Sequence, residues 1–459
     1  MVAAPATGQS QGAAPEPVSS PRLVTLDEVL ERAGALPVVG FERSQQEEFA
    51  ARQLEAKWAV LPRFDVTSVL APVPTIRADV ENPESNDTSD VDLLTEIFGD
   101  TNPYLKVDLR VTQPITTFGK IDLARELAAV GVDSAAIEVE KAQLEARFHA
   151  FRAYRAAQWY VEVDALLREA EGRLRRARER LEEEVDVGVP TARTDLRKLI
   201  ISMPRFAGLR AKADEVGLAA RSAVQVGLGS TEPFRVEAFP EAVALEGIPS
   251  VDAVLAYALE HRPDARLLDT AVAARDLEAD IGWRALAPDL FAGGTLSLAW
   301  APSVTPDLSG PFVYDPFNKF GIGFFVGLRW DPDLFRRIAQ GRRLDAQTRT
   351  VRLQREAGLQ GIRIDVDAAY REALGKARVA DSYREAYRAA DAWLKQVWFQ
   401  FDQGLAEYSD IEDPLKQYYE TAGARLQAIL EFEIALADLA LKCGAEQMDV
   451  WPHRAAGAE

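Results

Sequence analysis

Side chains able to do covalent or metal chemistry are scarce in this sequence. There is one cysteine, Cys443, and three histidines in 459 residues. A single thiol builds no disulfide framework, and with three scattered imidazoles it makes no Cys/His metal set. His149 falls on the apolar side of a long helical stretch, where packing is expected rather than ligation. No nucleophile–base pair or phosphate-cradling loop is present, so no enzymatic activity, metal or cofactor is expected. What remains is charge. Lys and Arg total 53 against 72 Asp and Glu, a formal charge of -19, and phosphate binding needs the opposite sign, so no nucleic-acid partner is expected. One acidic run, Asp79, Glu81, Glu84, Asp87, Asp90, Asp92, Glu96 and Asp100, has only Arg77 beside it. It reads as a long solvated loop, with bridging of cations as the sharper alternative. A basic run, Arg168, Arg173, Arg175, Arg176, Arg178 and Arg180, precedes Glu182, Glu183 and Glu184. Its spacing suits ion pairs one helical turn apart.

The elements that would carry these charges come twice. Thr25-Leu26-Asp27-Glu28-Val29-Leu30 precedes Pro37 and a helical stretch ending at Pro62; Ser250-Val251-Asp252-Ala253-Val254-Leu255 precedes Pro263 and a stretch ending at Pro288. Gln113-Pro114 answers Asp331-Pro332, and Asp186-Val187-Gly188-Val189 answers Asp402-Gln403-Gly404-Leu405. Landmarks in one order at similar offsets imply an internal duplication. The expected first repeat spans 23–229: a helix, a strand at 63–71, an external loop at 72–105, a strand at 106–113, a long helix at 115–186, a tip, and a helix at 195–227. A linker at 230–249 follows. The second repeat spans 250–443, with strands at 289–300 and 320–330 around a loop at 301–319, a long helix at 332–402, a tip, and a helix at 414–442. Tails are expected at 1–22 and 444–459. The first is an Ala/Pro/Ser/Gly tract that reads as disordered, and an exported protein would need a signal peptide upstream of it.

The strands rest on period-two alternation. Val107, Leu109 and Val111 alternate with Lys106, Asp108, Arg110 and Thr112; Phe320, Ile322, Phe324, Val326, Leu328 and Trp330 form an unbroken apolar row. Trp300, Tyr314, Phe317, Phe320 and Trp330 suit an interfacial aromatic girdle. The long helices carry no proline from Ile115 to Val189 or from Asp333 to Asp413. Ile121 to Glu184 alone would extend about 100 Å, far beyond a compact globule. Apolar residues at near-heptad spacing, Leu144 to Leu181 and Val366 to Val397, call for helical partners along that length. No run approaches the roughly 18 continuous apolar residues of a membrane helix, whereas barrel strands leave no hydropathy peak. Four strands cannot close a barrel, and lipid tolerates no open edge. Three chains would supply twelve strands. Pro114 and Pro332 are expected where strand gives way to helix, each ending a ladder for want of an N–H. The expected architecture is mainly α with a β-barrel section: a trimeric 12-stranded barrel continuing into an α-helical coiled-coil tunnel.

Three segments carry a resemblance to the TolC-like family of outer-membrane efflux and secretion channels, over roughly Leu23 to Cys443. Val111 to Lys120 resembles that family's strand-to-helix signature, and Trp330-Asp331-Pro332-Asp333-Leu334-Phe335 with Gly341-Arg342-Arg343 its second counterpart. Phe401 to Leu405, with Asp410, Ile411 and Leu415, resembles its second tip. The resemblance implies an outer-membrane location reaching into the periplasm, and a passive conduit for a tripartite efflux pump or type I secretion system. It implies as partners two further copies, a periplasmic adaptor, an inner-membrane RND or ABC transporter, and outer-membrane lipid. The apolar strand rows would face that lipid, and Gly188 and Gly404 would be tip glycines. Asp410 and Asp413 would ring the channel entrance, joined by Asp195 if one residue is inserted after Gly188. Three copies of each would form a cation-binding constriction. Asp413 also reads as the N-cap of the last helix, with Pro414 at its first position. Phe401 and Ala406 stand where the family's latch has tyrosine and arginine, so the usual latch bonds do not carry over. The alternative to a channel is a soluble coiled-coil scaffold.

Overall fold

A computed structural model of the chain describes residues 21–74, 101–240, 249–302, 317–403, 405 and 409–446. Most of the acidic segment, Tyr314, Gly404, Ala406 and most of both tails lie outside these residues. In order the elements are β1 (Arg22–Val24), α1 (Leu26–Ala33), α2 (Pro37–Trp58), β2 (Arg63–Pro74), β3 (Thr101–Thr116), α3 (Lys120–Val187) and α4 (Ala192–Leu228). There follow β4 (Phe234–Val236), α5 (Val251–His261), α6 (Pro263–Arg284), β5 (Asp289–Trp300), β6 (Lys319–Arg329), α7 (Leu334–Asp402) and α8 (Ser409–Cys443). The chain divides into two compact units. The first comprises residues 1–43, 137–266 and 358–459; the second comprises 44–136 and 267–357.

The second unit holds a four-stranded antiparallel sheet in the order β2-β3-β5-β6. Its register gathers the two apolar rows onto one face. Phe64, Val111, Gly294 and Phe324 stand in one cross-strand line; Val66, Leu109, Leu296 and Ile322 form the next, and Ser68, Val107, Leu298 and Phe320 the next. Side chains directly opposite in an antiparallel ladder share a face. The other face is polar, with Asp65, Arg110 and Thr295 in one line and Thr67, Asp108 and Ser297 in the next. Two phenylalanines interrupt it. Phe291 sits opposite Gly327 and Phe325 opposite Gly293, their rings 6.1 Å apart edge to face. Any side chain at Gly293 would run into the Val111 carbonyl and the Phe325 ring. The glycines make the space the rings fill. Arg329 lies over the Phe291 ring at 5.4 Å.

The expectation for Pro114 is corrected here, whereas Pro332 does lie between strand and helix but does not itself end the ladder. β3 continues through Pro114 to Thr116. Beyond Thr112 it pairs only with β5, and a register shift between Pro114 and Thr116 absorbs the missing N–H; a one-sided position with a bulge is where a strand tolerates proline. The helix then starts at Lys120, not at 115, after Phe118 and Gly119 turn with positive φ. At the second junction the ladder ends at Arg329, three residues before Pro332. Asp333 is the cap: its carboxylate accepts from the Arg336 N–H at 3.2 Å, and α7 starts at Leu334. Asp331 accepts from Arg336 and Arg337 at 2.8 and 2.9 Å. The Asp333 N–H, and after it the Arg337 guanidinium, hold the Asp331 carboxyl below its ordinary value.

The first unit is built on the lower-numbered ends of α1 and α5 meeting the long helices. Thr25 caps α1 by accepting from the Glu28 N–H, and Ser250 caps α5 by accepting from Ala253. The residue before each cap is held by a tyrosine. Tyr154 of α3 donates to the Val24 carbonyl at 2.8 Å, and Tyr370 of α7 donates to the Pro249 carbonyl at 2.9 Å. Tyr154 is fully buried and also accepts from the Glu237 N–H at 3.1 Å. Burial raises its phenol to about 12. Gln158 adds bonds to the Glu237 and Ala238 carbonyls, and β1 pairs in parallel with β4 over this cluster. Tyr154→Phe leaves the Val24 carbonyl and the Glu237 N–H unpaired, a loss of roughly 1 to 3 kcal/mol for buried groups. Tyr370→Phe strips one partner from a half-buried site. Thermal unfolding followed by tryptophan fluorescence is expected to rank Tyr154→Phe below Tyr370→Phe, with wild type above both.

Near-heptad positions of α3 are buried, among them Phe151, Trp159, Val163, Leu167, Leu174 and Leu181; in α7 the buried positions are Val366, Ala373, Ala377, Ala380, Ala390 and Val397, mostly small residues. Small residues there let helices approach closely. His149, expected to pack, is instead exposed on α3. Its neighbours Ala146 and Phe151 turn inward, and one residue of offset on a helix is enough to reverse its side.

Candidate functional site

The expected entrance residues all belong to the first unit, near the turns that join α3 to α4 and α7 to α8. Gly188 ends α3 with φ +90°, open to a residue without Cβ. Its N–H bonds the Val185 carbonyl at 3.1 Å, and the Val189 N–H reaches back to Glu184 at 3.0 Å. These are the two bonds of a Schellman closure. In the second turn the Leu405 N–H reaches the Gln400 carbonyl at 2.9 Å, the same six-to-one closure. Gly404 itself lies outside the described residues.

The last helix is longer than expected. α8 begins at Ser409, so Asp413 is its fifth residue and Pro414 lies inside it. The N-cap reading of Asp413 is thereby removed, because capping belongs to the residue before the first helical one. Asp410 and Glu412 stand in the first turn, where the positive end of the helix dipole favours carboxylates. Asp410 and Asp413 are both exposed. Asp195 sits in the first turn of α4, which starts at Ala192 and not at 195. It is partly buried and accepts from Lys198 at 3.5 Å.

Asp195 and Asp413 are brought together in the wall of one cavity; Asp410 is not part of it. The cavity, of about 990 Å³, lies between α3, α4 and α8, opens to solvent and is mostly apolar. An aromatic cluster closes one side. Phe206 and Tyr419 meet edge to face at 6.2 Å, and Tyr419, Tyr418 and Tyr387 continue the row at 5.1 and 5.6 Å. Tyr387 stands in the near-heptad row of the second long helix, but periodicity missed Tyr418 and Tyr419, as it missed Tyr154. The 216-residue offset between the two tips also separates Tyr154 from Tyr370, and would have singled them out.

The basic run is largely spent within its own helix. Arg173 pairs with Glu169 at 2.6 Å, Arg178 with Glu182 at 2.7 Å and Arg180 with Glu184 at 3.4 Å, and Arg168 pairs with Asp164. Such exposed pairs contribute little each, typically a few tenths of a kcal/mol. Among the described residues no group of acidic, His or Cys side chains could hold a metal ion, and no helix is long and apolar enough to cross a membrane.

No family model and no curated protein matches the sequence. Solved structures do. The chain is similar to the outer-membrane channel OprN, with a TM-score of 0.71 and 14% identity over 92% of this chain and 90% of that one. It is similar to the open state of the Neisseria gonorrhoeae outer-membrane channel MtrE, at 0.70 and 17% identity, covering 92% and 89%. It is also similar to the Campylobacter jejuni outer-membrane channel CmeC, at 0.69 and 16% identity, covering 92% and 86%. The fold of this chain is the fold of these channels, along nearly its whole length.

Proposed function

We propose that this chain is one protomer of a homotrimeric outer-membrane channel of the TolC type, a passive conduit with no catalytic activity of its own. The sheet carries the reading. One face exposes a continuous apolar surface, with Phe324 88%, Val326 72% and Phe320 69% exposed, while the opposite face holds charged residues, threonine and serine. The outer edges of β2 and β6 are unpaired among the described residues. In water such a surface, with two open edges, is an aggregation template; in lipid the edges must be closed. Three copies joined β2 to β6 give twelve strands, with the apolar face to lipid and the polar face to a water-filled lumen.

The helices support the same closure. α3 has 68 residues and α7 has 69, each about 100 Å long. Exposed Ile200, Ile201, Leu209, Ile364 and Phe399 leave apolar surface for neighbouring copies. Matching cap residues, matching tyrosine bonds and matching helix closures at similar offsets support descent from a duplicated half. On this reading a periplasmic adaptor and an inner-membrane RND or ABC transporter complete the pathway, for either efflux or type I secretion. A soluble scaffold would have to leave the Phe324 face in water.

The test is assembly. Detergent-extracted protein is expected to scatter light as three chains after correction for bound detergent, and to conduct ions in planar bilayers. A stable monomer, or release from membranes without detergent, would remove the reading.

A further inference from the structure

We propose that α2 of one copy packs antiparallel against α7 of the next, in a register that sets Ala51 against Ala346, Glu47 against Arg349, and Glu55 against Arg342 and Arg343. The proposal rests on the trimer reading above and adds to it which faces meet, and where. Sheet order brings the two helices together. β2 and β6 are the outer strands, and β2 begins at the same end of the sheet at which β6 finishes. Joining β6 to the next copy's β2 closes a head-to-tail ring. The helix entering β2 then lies beside the helix leaving β6 and runs the opposite way.

Both helices leave one side uncovered within the chain. Phe49 of α2 meets Gly131 of α3, and Arg125 of α3 donates to the Ala56 and Lys57 carbonyls at 3.3 and 2.6 Å. On the other side of α2, Ser44, Glu47, Ala51, Leu54 and Trp58 are all exposed. α7 is held to α6 by Thr348, which donates to the Arg275 carbonyl at 3.1 Å, and by Asp345, which accepts from Trp283 at 3.0 Å. Its other side exposes Ala339, Arg342, Arg343, Ala346 and Arg349. Steps of three and four residues along each stripe are the spacing of a helix seam. Among the described residues none of Glu47, Glu55, Arg342, Arg343 and Arg349 has an ion-pair partner. The uncovered side is therefore negative on α2 and positive on α7.

The register comes from the duplication. Phe49 and Arg275 are 226 residues apart, and Gly131 and Thr348 are 217 apart, so the contact of α2 with α3 recurs between α6 and α7. The counterpart of the proposed seam inside the chain is α6 beside α3, where Arg266 donates to Glu140 at 2.6 Å. Shifted by those two intervals and followed along the antiparallel pair, that contact sets Ala339 against Trp58, Ala346 against Ala51, and Thr350 against Glu47. Arg349 then reaches Glu47, and Arg342 and Arg343 reach Glu55. The alanines let the helices approach closely, and opposite charges flank them on either side.

The test is disulfide formation between copies in detergent-extracted protein carrying both Ala51→Cys and Ala346→Cys; the native Cys443 is buried. Mild oxidation is expected to convert most chains to covalent dimers and trimers on non-reducing gels, while either substitution alone leaves monomers. Ser44→Cys with Ala346→Cys uses the same side of α2 but roughly 10 Å further along it. That pair is expected to give almost no product, since a disulfide needs Cβ atoms about 4 Å apart. Glu47→Arg sets a like charge against Arg349 and is expected to lower the temperature at which the trimer dissociates. Adding Arg349→Glu is expected to restore it, most strongly at low salt, where screening is least. Light scattering on the same samples separates this seam from the trimer it rests on. A trimer in which Ala51→Cys and Ala346→Cys fail to link, or in which the Ser44→Cys pair links equally well, overturns the seam alone. So does linkage by either cysteine singly, which would mean that like faces meet. No recovery on adding Arg349→Glu overturns the charge pairing, and a monomer overturns both seam and trimer.

Discussion

Phe324→Arg is expected to abolish stable assembly in membranes, while Arg329→Leu leaves it nearly intact. Phe324 is the most exposed apolar residue of β6, and its cross-strand row, Gly294, Val111 and Phe64, offers no carboxylate to receive a guanidinium. A buried arginine at mid-bilayer on a barrel's lipid face costs roughly 2 to 4 kcal/mol, and a trimer incurs it three times. Arg329 lies on the opposite face, at the end of the ladder. Its removal loses a stacking contact with Phe291, worth roughly 0.5 to 1 kcal/mol at an exposed site. Protease resistance of membrane fractions and the yield of detergent-stable oligomer measure the contrast. The reverse ranking would mean that the polar face meets lipid.

The second large effect concerns the entrance. If Asp410 and Asp413 face the channel axis in each of three copies, six carboxylates share a narrow, poorly hydrated mouth. Two unit charges 4 Å apart interact by about 1 kcal/mol in bulk water and about 4 kcal/mol at the effective dielectric of a protein surface. A trivalent cation is therefore expected to block conductance of purified channels in bilayers, and Asp410→Ala combined with Asp413→Ala to relieve the block severalfold. Since α8 starts at Ser409, Asp413 holds no cap to lose. Asp410 contributes to the helix-dipole interaction, roughly 0.3 to 1 kcal/mol, so a small drop in melting temperature is expected besides. A drop in melting temperature with blockade unchanged would leave both as structural residues.

The parts of this fold that alternation or long proline-free stretches encode were legible from sequence. β5 spans Asp289–Trp300, the limits its alternation suggests, and α3 and α7 follow the two proline-free stretches. The ends were harder, because proline was read as a terminator. Pro72 and Pro74 sit inside β2, which runs to residue 74 rather than 71; as an edge strand it has only one neighbour to donate to. Pro114 rests at a bulge, and Pro414 lies inside α8, so the helix expected at 414–442 begins five residues earlier. Strand 106–113 likewise reaches from Thr101 to Thr116, and strand 320–330 stops one residue short. At the site, the acidic residues were visible one by one, but the cavity that unites Asp195 with Asp413 was not. It depends on which sides of three helices far apart in sequence face one another, and a single helix's periodicity carries no such information.

The central ladder of the sheet has a consequence in time. β2 and β3 are joined across residues 75–100 and β5 and β6 across 301–318, but the β3–β5 seam, where Ser297 bonds Asp108, brings together residues 189 apart. Closing so long a loop is slow compared with forming either pair. While it folds, the chain therefore spends an interval as two separate hairpins with four bare edges instead of two, each showing an oily side. A folding helper that shields strand edges is needed most in that interval, and sequence changes that slow the β3–β5 seam are expected to lower yield long before they lower the stability of the finished protein.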